Sequence, residues 1–315
     1  MGQKTDLNVS PYHDDFDETD NFHRVLYRPS FAVQARELTT QQSILQNQIE
    51  RMGRHIFKEG AIIIPGEVGY IDEYYAVKLQ STFNGVSITS NASSYVDTII
   101  TGTTSGVRAQ VIGQPAADST DPLTLFVKYI KPSDTDQETQ TFTDGENIKS
   151  DTAIGTFSIN QESAVLQASD ATATGSAAYA NAGVYFIRGH FIRSTTQRIV
   201  LDKYTNTPSY RVGLLVTESF VTPNEDASLN DNAQGSSNQN APGAHRLNYA
   251  LTLSKLSLTS TADTNFVELM RVSNGTVQSK TRPTEYSVLG DNLARRTYDE
   301  SGHYTVRRFQ VDTKE

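Results

Sequence analysis

Two hydrophobic patterns divide this chain near residue 60. Before that point the apolar side chains are irregularly spaced and then follow a helical spacing. After Gly60 they alternate with polar residues or form short runs, separated by clusters of Asn, Gly, Pro, Ser and Asp. The pattern therefore predicts a mainly β protein with one N-terminal helix, in which two sandwich-like or barrel-like β modules follow an extended arm and the helix.

Residues 1–60 are predicted to hold the arm and the helix, and the arm covers residues 1–36. Its acidic stretch PYHDDFDETDNF and the residues that follow contain aromatic side chains without a clear period. A segment of this kind has little core of its own, so we expect it to become ordered by docking on a neighbouring protein. The candidate interface residues are Tyr12, Phe16, Phe22, Tyr27 and Phe31.

Residues 39–57 are predicted to form the helix, because Thr39 and Gln42 match a capping box and good helix formers follow. Leu38 and four later residues make one apolar stripe. The stripe spans fewer than three heptads, so its period does not decide between a helix lying on its own β domain and a helix that self-associates. The candidate interface residues of the helix are Leu45, Ile49, Met52 and Ile56.

Turn signals divide the remaining chain into two predicted β modules. The first module covers 61–165, a linker or loop of small polar residues covers 166–183, and the second module covers 184–315. Hairpins are predicted at Asn84-Gly85 and Asn274-Gly275. Strands are predicted on both sides of Pro65-Gly66 and at 74–83, 86–89, 107–112, 123–130, 153–159, 184–194, 197–204, 209–221, 247–258, 266–279 and 303–315. The charged ending without a closing element suits a fragment of a longer chain.

The segment 223–245 is predicted to be a long polar loop inside the second module. It is too polar to form core and too long for an ordinary connection, so it is either mobile or functional. Its Ala, Gly, Ser and Asn residues allow close backbone approach and many hydrogen bonds to a partner. Asn232, Gln234 and His245 are its candidate interface residues.

Composition narrows the classes of partner. The 315 residues are 37% hydrophobic and 20% charged, with a formal net charge of -9 and no block of Lys and Arg, so nucleic acid is not expected as a partner. No run of 18 apolar residues predicts a membrane span, and the N-terminus lacks the features of a signal peptide. The absence of Cys fits assembly in a reducing cytoplasm.

No motif for catalysis, cofactor binding or metal binding is found, so we predict no catalytic, cofactor or metal residues. The sequence lacks the nucleophile elbow, zinc-protease, phosphate-loop and dinucleotide motifs, and its six His residues are scattered. The acidic run in the arm lacks the Gly turn and terminal Glu of an EF-hand loop. Glycoside hydrolysis needs only two carboxylates, and nothing selects a pair among 36 acidic residues. A polysaccharide depolymerase therefore stays open as an alternative.

Several segments resemble a family of uncharacterised virion proteins of tailed phages, found in marine and cyanobacterial contractile-tailed phages. The specific signal is F-x-V-Q-A-R-E-L-T at 31–39, together with N-A-Q-G-S-S-N at 232–238 and A-P-G-A-H-R at 241–246. The resemblance extends over about two thirds of the chain. In longer relatives this region is N-terminal, which agrees with the open ending.

The resemblance implies a structural, non-enzymatic component of a phage tail, described as baseplate-like or tail-fibre-like. It implies a location in the virion tail after assembly in the host cytoplasm. The implied partners are other copies of the chain, with a homotrimer favoured, and other tail or baseplate proteins. A receptor-binding or glycan-binding tail-fibre protein is the other alternative, although such a protein is expected to expose Trp or Tyr platforms and this chain has no Trp.

Overall fold

A computed structural model describes residues 3–64, 66–115, 121–134, 136–260, 263–281 and 285–302. The fold is mainly β with an N-terminal helix, which confirms the predicted fold class. Helix α1 covers Ala35–Ile56, and a second helix, α2, covers Glu285–Ser301 near the end of the described chain. The second helix was not predicted.

Seventeen strands lie between the helices in the described part of the chain. The first nine are β1 (Ala61–Ile64), β2 (Val68–Leu79), β3 (Thr82–Phe83), β4 (Val86–Ser87), β5 (Ile99–Gly102), β6 (Arg108–Gly113), β7 (Leu123–Lys131), β8 (Asn147–Ser150) and β9 (Glu162–Val165). The others are β10 (Thr172–Ala180), β11 (Gly183–Ile187), β12 (His190–Ser194), β13 (Gln197–Asp202), β14 (Tyr210–Val221), β15 (Arg246–Ser257), β16 (Phe266–Ser273) and β17 (Thr276–Lys280).

The strands form one large sheet and three smaller ones, with antiparallel pairing throughout. The large sheet has the order β13-β10-β2-β7-β6-β5-β8-β9 and does not close into a barrel. A three-stranded sheet has the order β1-β11-β12, a four-stranded sheet has the order β15-β14-β16-β17, and β3 and β4 form a hairpin. Strands β14 and β15 pair over their full length of twelve residues.

Two main hydrophobic cores support these sheets. One core contains residues between Val77 and Ala171, with Tyr95, Leu125 and Ile148 fully buried. The other draws mainly on residues between Ala178 and Val272, and it also contains Ile62 and Val68. The start of the predicted first module therefore belongs to the second core, because the long strand β2 begins in one core and ends in the other.

The prediction of a linker over 166–183 is wrong. Residues 172–180 form β10, which pairs with β2 on one side and with β13 on the other. Its small side chains allow the neighbouring strands to approach closely, and Ala177 and Ala178 are fully buried. A Cβ atom at Gly175 would lie 2.5 Å from the carbonyl oxygen of Lys203. The segment is poor in large apolar residues because it is tightly packed.

The helix starts four residues earlier than predicted. Its N-cap is Gln34, and the capping box pairs Gln34 with Glu37 instead of Thr39 with Gln42. Thr39 already lies inside the helix, where its hydroxyl donates to the carbonyl oxygen of Ala35 at 3.1 Å. A Gln at the N-cap is outside the Ser, Thr, Asp and Asn preference on which the prediction rested.

Most predicted strands of both modules are confirmed, as are the two Asn-Gly hairpins. Both residues of each Asn-Gly pair have φ between +47° and +76°. The predicted strand at 153–159 is wrong, because only an isolated bridge between Ile154 and Phe157 forms there. Strands β5, β8 and β9 were missed, and the predicted strand at 303–315 lies outside the described residues.

Candidate protein-protein interface

Helix α1 has one face on its own domain and one face that is not covered. Ile44 is only 3% exposed, and Gln46 Nε2 donates to the carbonyl oxygen of Gly189 at 3.0 Å. Gly53 lies against the ring of Phe186. The apolar stripe found in the sequence lies on a neighbouring side of the helix, and we call its four exposed residues the helix stripe. These residues are Leu38, Leu45, Ile49 and Met52, while Ile56 is half-buried.

The contact at Gly53 fixes the helix to the β domain and gives a first prediction. Replacing a helical Gly with Ala normally stabilises a protein by about 1 kcal/mol. Here the new Cβ would lie 2.5 Å from Cε2 of the fully buried Phe186. We therefore expect Gly53→Ala to lower the free energy of unfolding by about 1–3 kcal/mol, measured by urea denaturation. The exposed Gln48→Ala is the control, and a Gly53→Ala protein more stable than the wild type would contradict the packing.

The first half of the arm, residues 3–20, lies on its own chain. Asp14 is buried and accepts hydrogen bonds from the hydroxyls of Thr40 and Ser43 on α1. Glu18 forms an ion pair with Arg51 of the same helix. The expectation that the whole arm becomes ordered only on a neighbour is therefore wrong for these residues, because α1 presents polar donors to the acidic side chains.

The aromatic candidates in this half also face their own chain. The ring of Tyr12 lies 5.1 Å from the ring of Phe220 on β14, and Tyr12 Oη lies 2.7 Å from His245 Nδ1. Phe16 is half-buried next to Asp14. Tyr12 and His245, both predicted as interface residues, thus meet each other within one chain.

Asp14 gives the second prediction, because it is the buried anchor between the arm and α1. We expect Asp14→Ala to weaken this local docking by about 1.5–3 kcal/mol, the usual range for hydrogen bonds to a charged group. Residues 3–20 should then be cleaved faster in limited proteolysis, while the β modules keep their unfolding midpoint. The exposed Asp20→Ala should leave the cleavage rate unchanged. Equal rates for both variants would show that Asp14 does not hold the arm.

The N-terminal end of the arm binds to a buried ion pair between Arg188 and Glu218. Arg188 and Glu218 bond to each other, and both side chains are 6% exposed. The backbone N–H groups of Lys4 and Thr5 donate to the Glu218 carboxylate at 3.2 Å and 2.8 Å, and Arg188 Nη2 donates to Asn265 Oδ1 at 2.7 Å. Burial by itself raises the pKa of Glu218. The hydrogen bonds that its carboxylate accepts from the Thr5 hydroxyl, from Arg188 and from the N–H groups of Lys4 and Thr5 outweigh burial and hold the pKa below its usual range.

The second half of the arm is exposed along its length. We call its five large apolar side chains the arm ridge. These residues are Phe22, Leu26, Tyr27, Phe31 and Val33. Glu18 lies near Arg51, close to the end of α1, and the Tyr27 hydroxyl donates to Gln41 Oε1 at 2.8 Å, near its start. The ridge therefore runs beside α1 in the direction opposite to the helix.

The arm ridge and the helix stripe meet where Tyr27 bonds to Gln41, and together they expose a large apolar area. Their nine side chains are between 43% and 74% exposed. At about 200 Å² for a large apolar residue, they present on the order of 1,000 Å². The largest apolar patch of a typical monomer is about 300–600 Å². Patches above that size mark sites where another protein binds.

The loop at 223–245 is organised at its base and exposed at its tip. Asn230 and Pro242 form an isolated bridge, and the N–H of Asp231 donates to the carbonyl oxygen of Ala241 at 2.9 Å. The candidates Asn232 and Gln234 lie exposed beyond this neck. The structure does not bring them near the helix stripe, and sequence reasoning had no signal for the neck.

The described residues also contain a cleft of about 630 Å³ next to β2 and β7. Its aromatic rings pack on each other, with 5.2 Å between the ring centroids of Tyr75 and Tyr129. Burial raises the pKa of Tyr129, which keeps the hydroxyl protonated. Within the described ranges, no three His, Cys, Asp or Glu residues are grouped as metal ligands would be. Neither helix, in its described part, is long and apolar enough to cross a membrane.

Comparison with known proteins yields one match. A family model described as "Domain of unknown function (DUF4815)" matches residues 10–120 and 137–315. No curated protein and no solved structure matches the chain. The matched ranges include α1, most of the arm and both cores.

Proposed function

The chain belongs to the family of the domain of unknown function DUF4815, and we propose that it is a structural, non-enzymatic component of a phage tail. In this proposal it acts at the baseplate or at a tail-fibre attachment, by assembling with other proteins. The observation that carries the proposal is the exposed apolar surface formed by the arm ridge and the helix stripe.

The physical argument starts from the size and the fixed position of that surface. A standard protein-protein interface buries about 800 Å² on each partner, and this surface offers apolar area on that order. Gln46 and Gly53 hold α1 on its own domain, so turning the helix to bury Leu45 and Ile49 would break these contacts. Leaving this surface in water is unfavourable, and a partner protein removes that cost.

The tail assignment rests on the resemblance of the sequence to virion proteins of tailed phages. Phe31, Val33 and Leu38 belong to the F-x-V-Q-A-R-E-L-T motif, and all three are exposed on the proposed surface. The N-A-Q-G-S-S-N motif lies on the exposed loop beyond the neck at Asn230. Residues that carry the resemblance are thus available for contacts with neighbours.

The proposed partners are other copies of the chain, with a homotrimer favoured, and other tail or baseplate proteins. The protein would be made in the host cytoplasm and would end in the virion tail. No catalytic step is assigned to it.

The proposal is tested on phage particles. Antibodies against the purified chain should label one end of the tail in electron micrographs of the phage particles whose genome encodes the chain. Mass spectrometry of gradient-purified particles should find the chain at a fixed ratio to the major tail protein. Its absence from purified particles, with presence in the lysate, would overturn the assignment to the virion.

A further inference from the structure

We propose that the helix stripe is covered by the arm ridge of a second copy of this chain. The inference rests on the proposed function, because it names the partner of the same surface. It assigns residues 22–33 of one copy to the uncovered side of α1 in another copy.

The first argument is that α1 has one side left free within its own chain. Thr40, Ser43 and Arg51 hold the acidic half of the arm. Gln46 and Gly53 face the β domain. Among the described residues, the helix stripe is the side that neither element covers.

The second argument is that the arm ridge does not cover the helix stripe of its own copy. Tyr27 bonds to Gln41 at the edge of the stripe, and the chain then leads directly to the helix start at Ala35. Leu26 remains 74% exposed and Met52 remains 68% exposed. The two apolar rows meet at Tyr27 and Gln41 and both are exposed, so neither row covers the other within one copy, and a second copy supplies the matching row.

The third argument concerns length. The helix stripe from Leu38 to Met52 is about 21 Å long at 1.5 Å per residue. The ridge segment 22–33 reaches up to about 40 Å when extended. The segment is therefore long enough to follow the whole stripe of a second copy.

The fourth argument is charge. Residues 21–33 contain Arg24 and Arg28 and no acidic residue. Residues 14–20 contain five acidic residues, of which all except Asp14 are exposed. The uncovered side of the helix carries Gln41, Gln42 and Gln48 between its apolar residues and no charge. A second copy thus offers its apolar helix stripe to the ridge and its acidic residues to Arg24 and Arg28. The helix stripe carries no positive charge that would repel these two Arg residues.

Disulfide trapping tests this arrangement, because the chain has no Cys of its own. Two differently tagged chains, one with Leu26→Cys and one with Ile49→Cys, are co-expressed, oxidised and run on a non-reducing gel. We expect a mixed disulfide at twice the chain mass. Phe22→Cys replaces Leu26→Cys if circular dichroism shows that the first variant has not folded.

The matched control replaces Leu26→Cys with Val277→Cys, which is 40% exposed on β17 and far from the arm in the sequence. This pair should lose the mixed band. A band of equal strength with Val277→Cys, or no band with either ridge variant, overturns the inference. A wild-type chain that is monomeric at micromolar concentration also overturns it. The disulfide test measures the contact between copies, whereas the proposed function is tested by the presence of the chain in purified particles. Either one can therefore fail without the other.

Discussion

Replacing Arg188 with Met is expected to lower the free energy of unfolding by about 3–5 kcal/mol, the cost of removing one partner of a buried ion pair. Glu218 would remain at 6% side-chain exposure without its cation, and Asn265 Oδ1 would lose a donor. The loss should appear as a lower urea midpoint with an unchanged slope. The N-terminal residues at Lys4 and Thr5 should also become more accessible to protease, because they bind the same carboxylate.

Controls separate the buried pair from a general effect of charge. Arg193→Met, on the exposed side of the same hairpin, should change stability by less than about 0.5 kcal/mol. The double variant Arg188→Met with Glu218→Gln should be less destabilised than the sum of the single variants, because neither charge is then left alone. An Arg188→Met protein as stable as the Arg193→Met protein would refute the role of the pair.

The same pair predicts a pH dependence with a definite sign. The pKa of Glu218 is lower in the folded protein than its usual value, so its contribution is present above the unfolded pKa of about 4.3. That contribution is lost as the pH falls through the lower folded pKa. The stability difference between the wild type and Glu218→Gln should therefore be constant near neutral pH and should shrink below about pH 4.

The second large effect concerns a matched pair of substitutions on α1. Ile44→Asp should destabilise the subunit by more than the roughly 2–5 kcal/mol of a buried Ile→Ala change, because an unpaired carboxylate is also buried. Ile49→Asp should leave the subunit folded, because Ile49 is 49% exposed. It should instead weaken assembly, since it places a charge in the helix stripe.

Circular dichroism and light scattering distinguish these outcomes. Ile44→Asp should lose its cooperative thermal transition or shift it far down. Ile49→Asp should keep the wild-type transition and show a lower mass than the wild type at equal concentration. Loss of folding in Ile49→Asp would contradict the exposed position of the helix stripe.

The sequence predicted the helix stripe but not which way it faces. An apolar stripe is normally the buried face of a helix, yet the buried residues of α1 are Ile44 and Gly53, which are nine residues apart and do not form an apolar stripe. The face that receives the acidic half of the arm is polar, with Thr40 and Ser43 as donors. Periodicity finds apolar residues and carries no information about which surface meets which partner.

Long strands with alternating side chains were predictable, and short or small-residue strands were not. The β14, β15 and β16 sequences carry clear apolar patterns and an Asn-Gly turn. Strand β8 is only the four residues NIKS, and it depends on pairing with β5 and β9. Strand β10 has a linker-like composition because its neighbours leave room only for small residues such as Gly175.

The contact of Lys4 and Thr5 with Glu218 has a consequence for the order of events during synthesis. These partners are separated by more than 210 residues, and Asn265 is 261 residues from Lys4. At about 5–20 residues per second, the ribosome needs roughly 10–50 s to produce these partners after it has made Lys4 and Thr5. Lys4 and Thr5 lack these partners for that time, so their docking is among the last folding steps, whereas Asp14 and Glu18 can already dock on α1. Each new chain therefore completes β14 before its arm can close on Glu218.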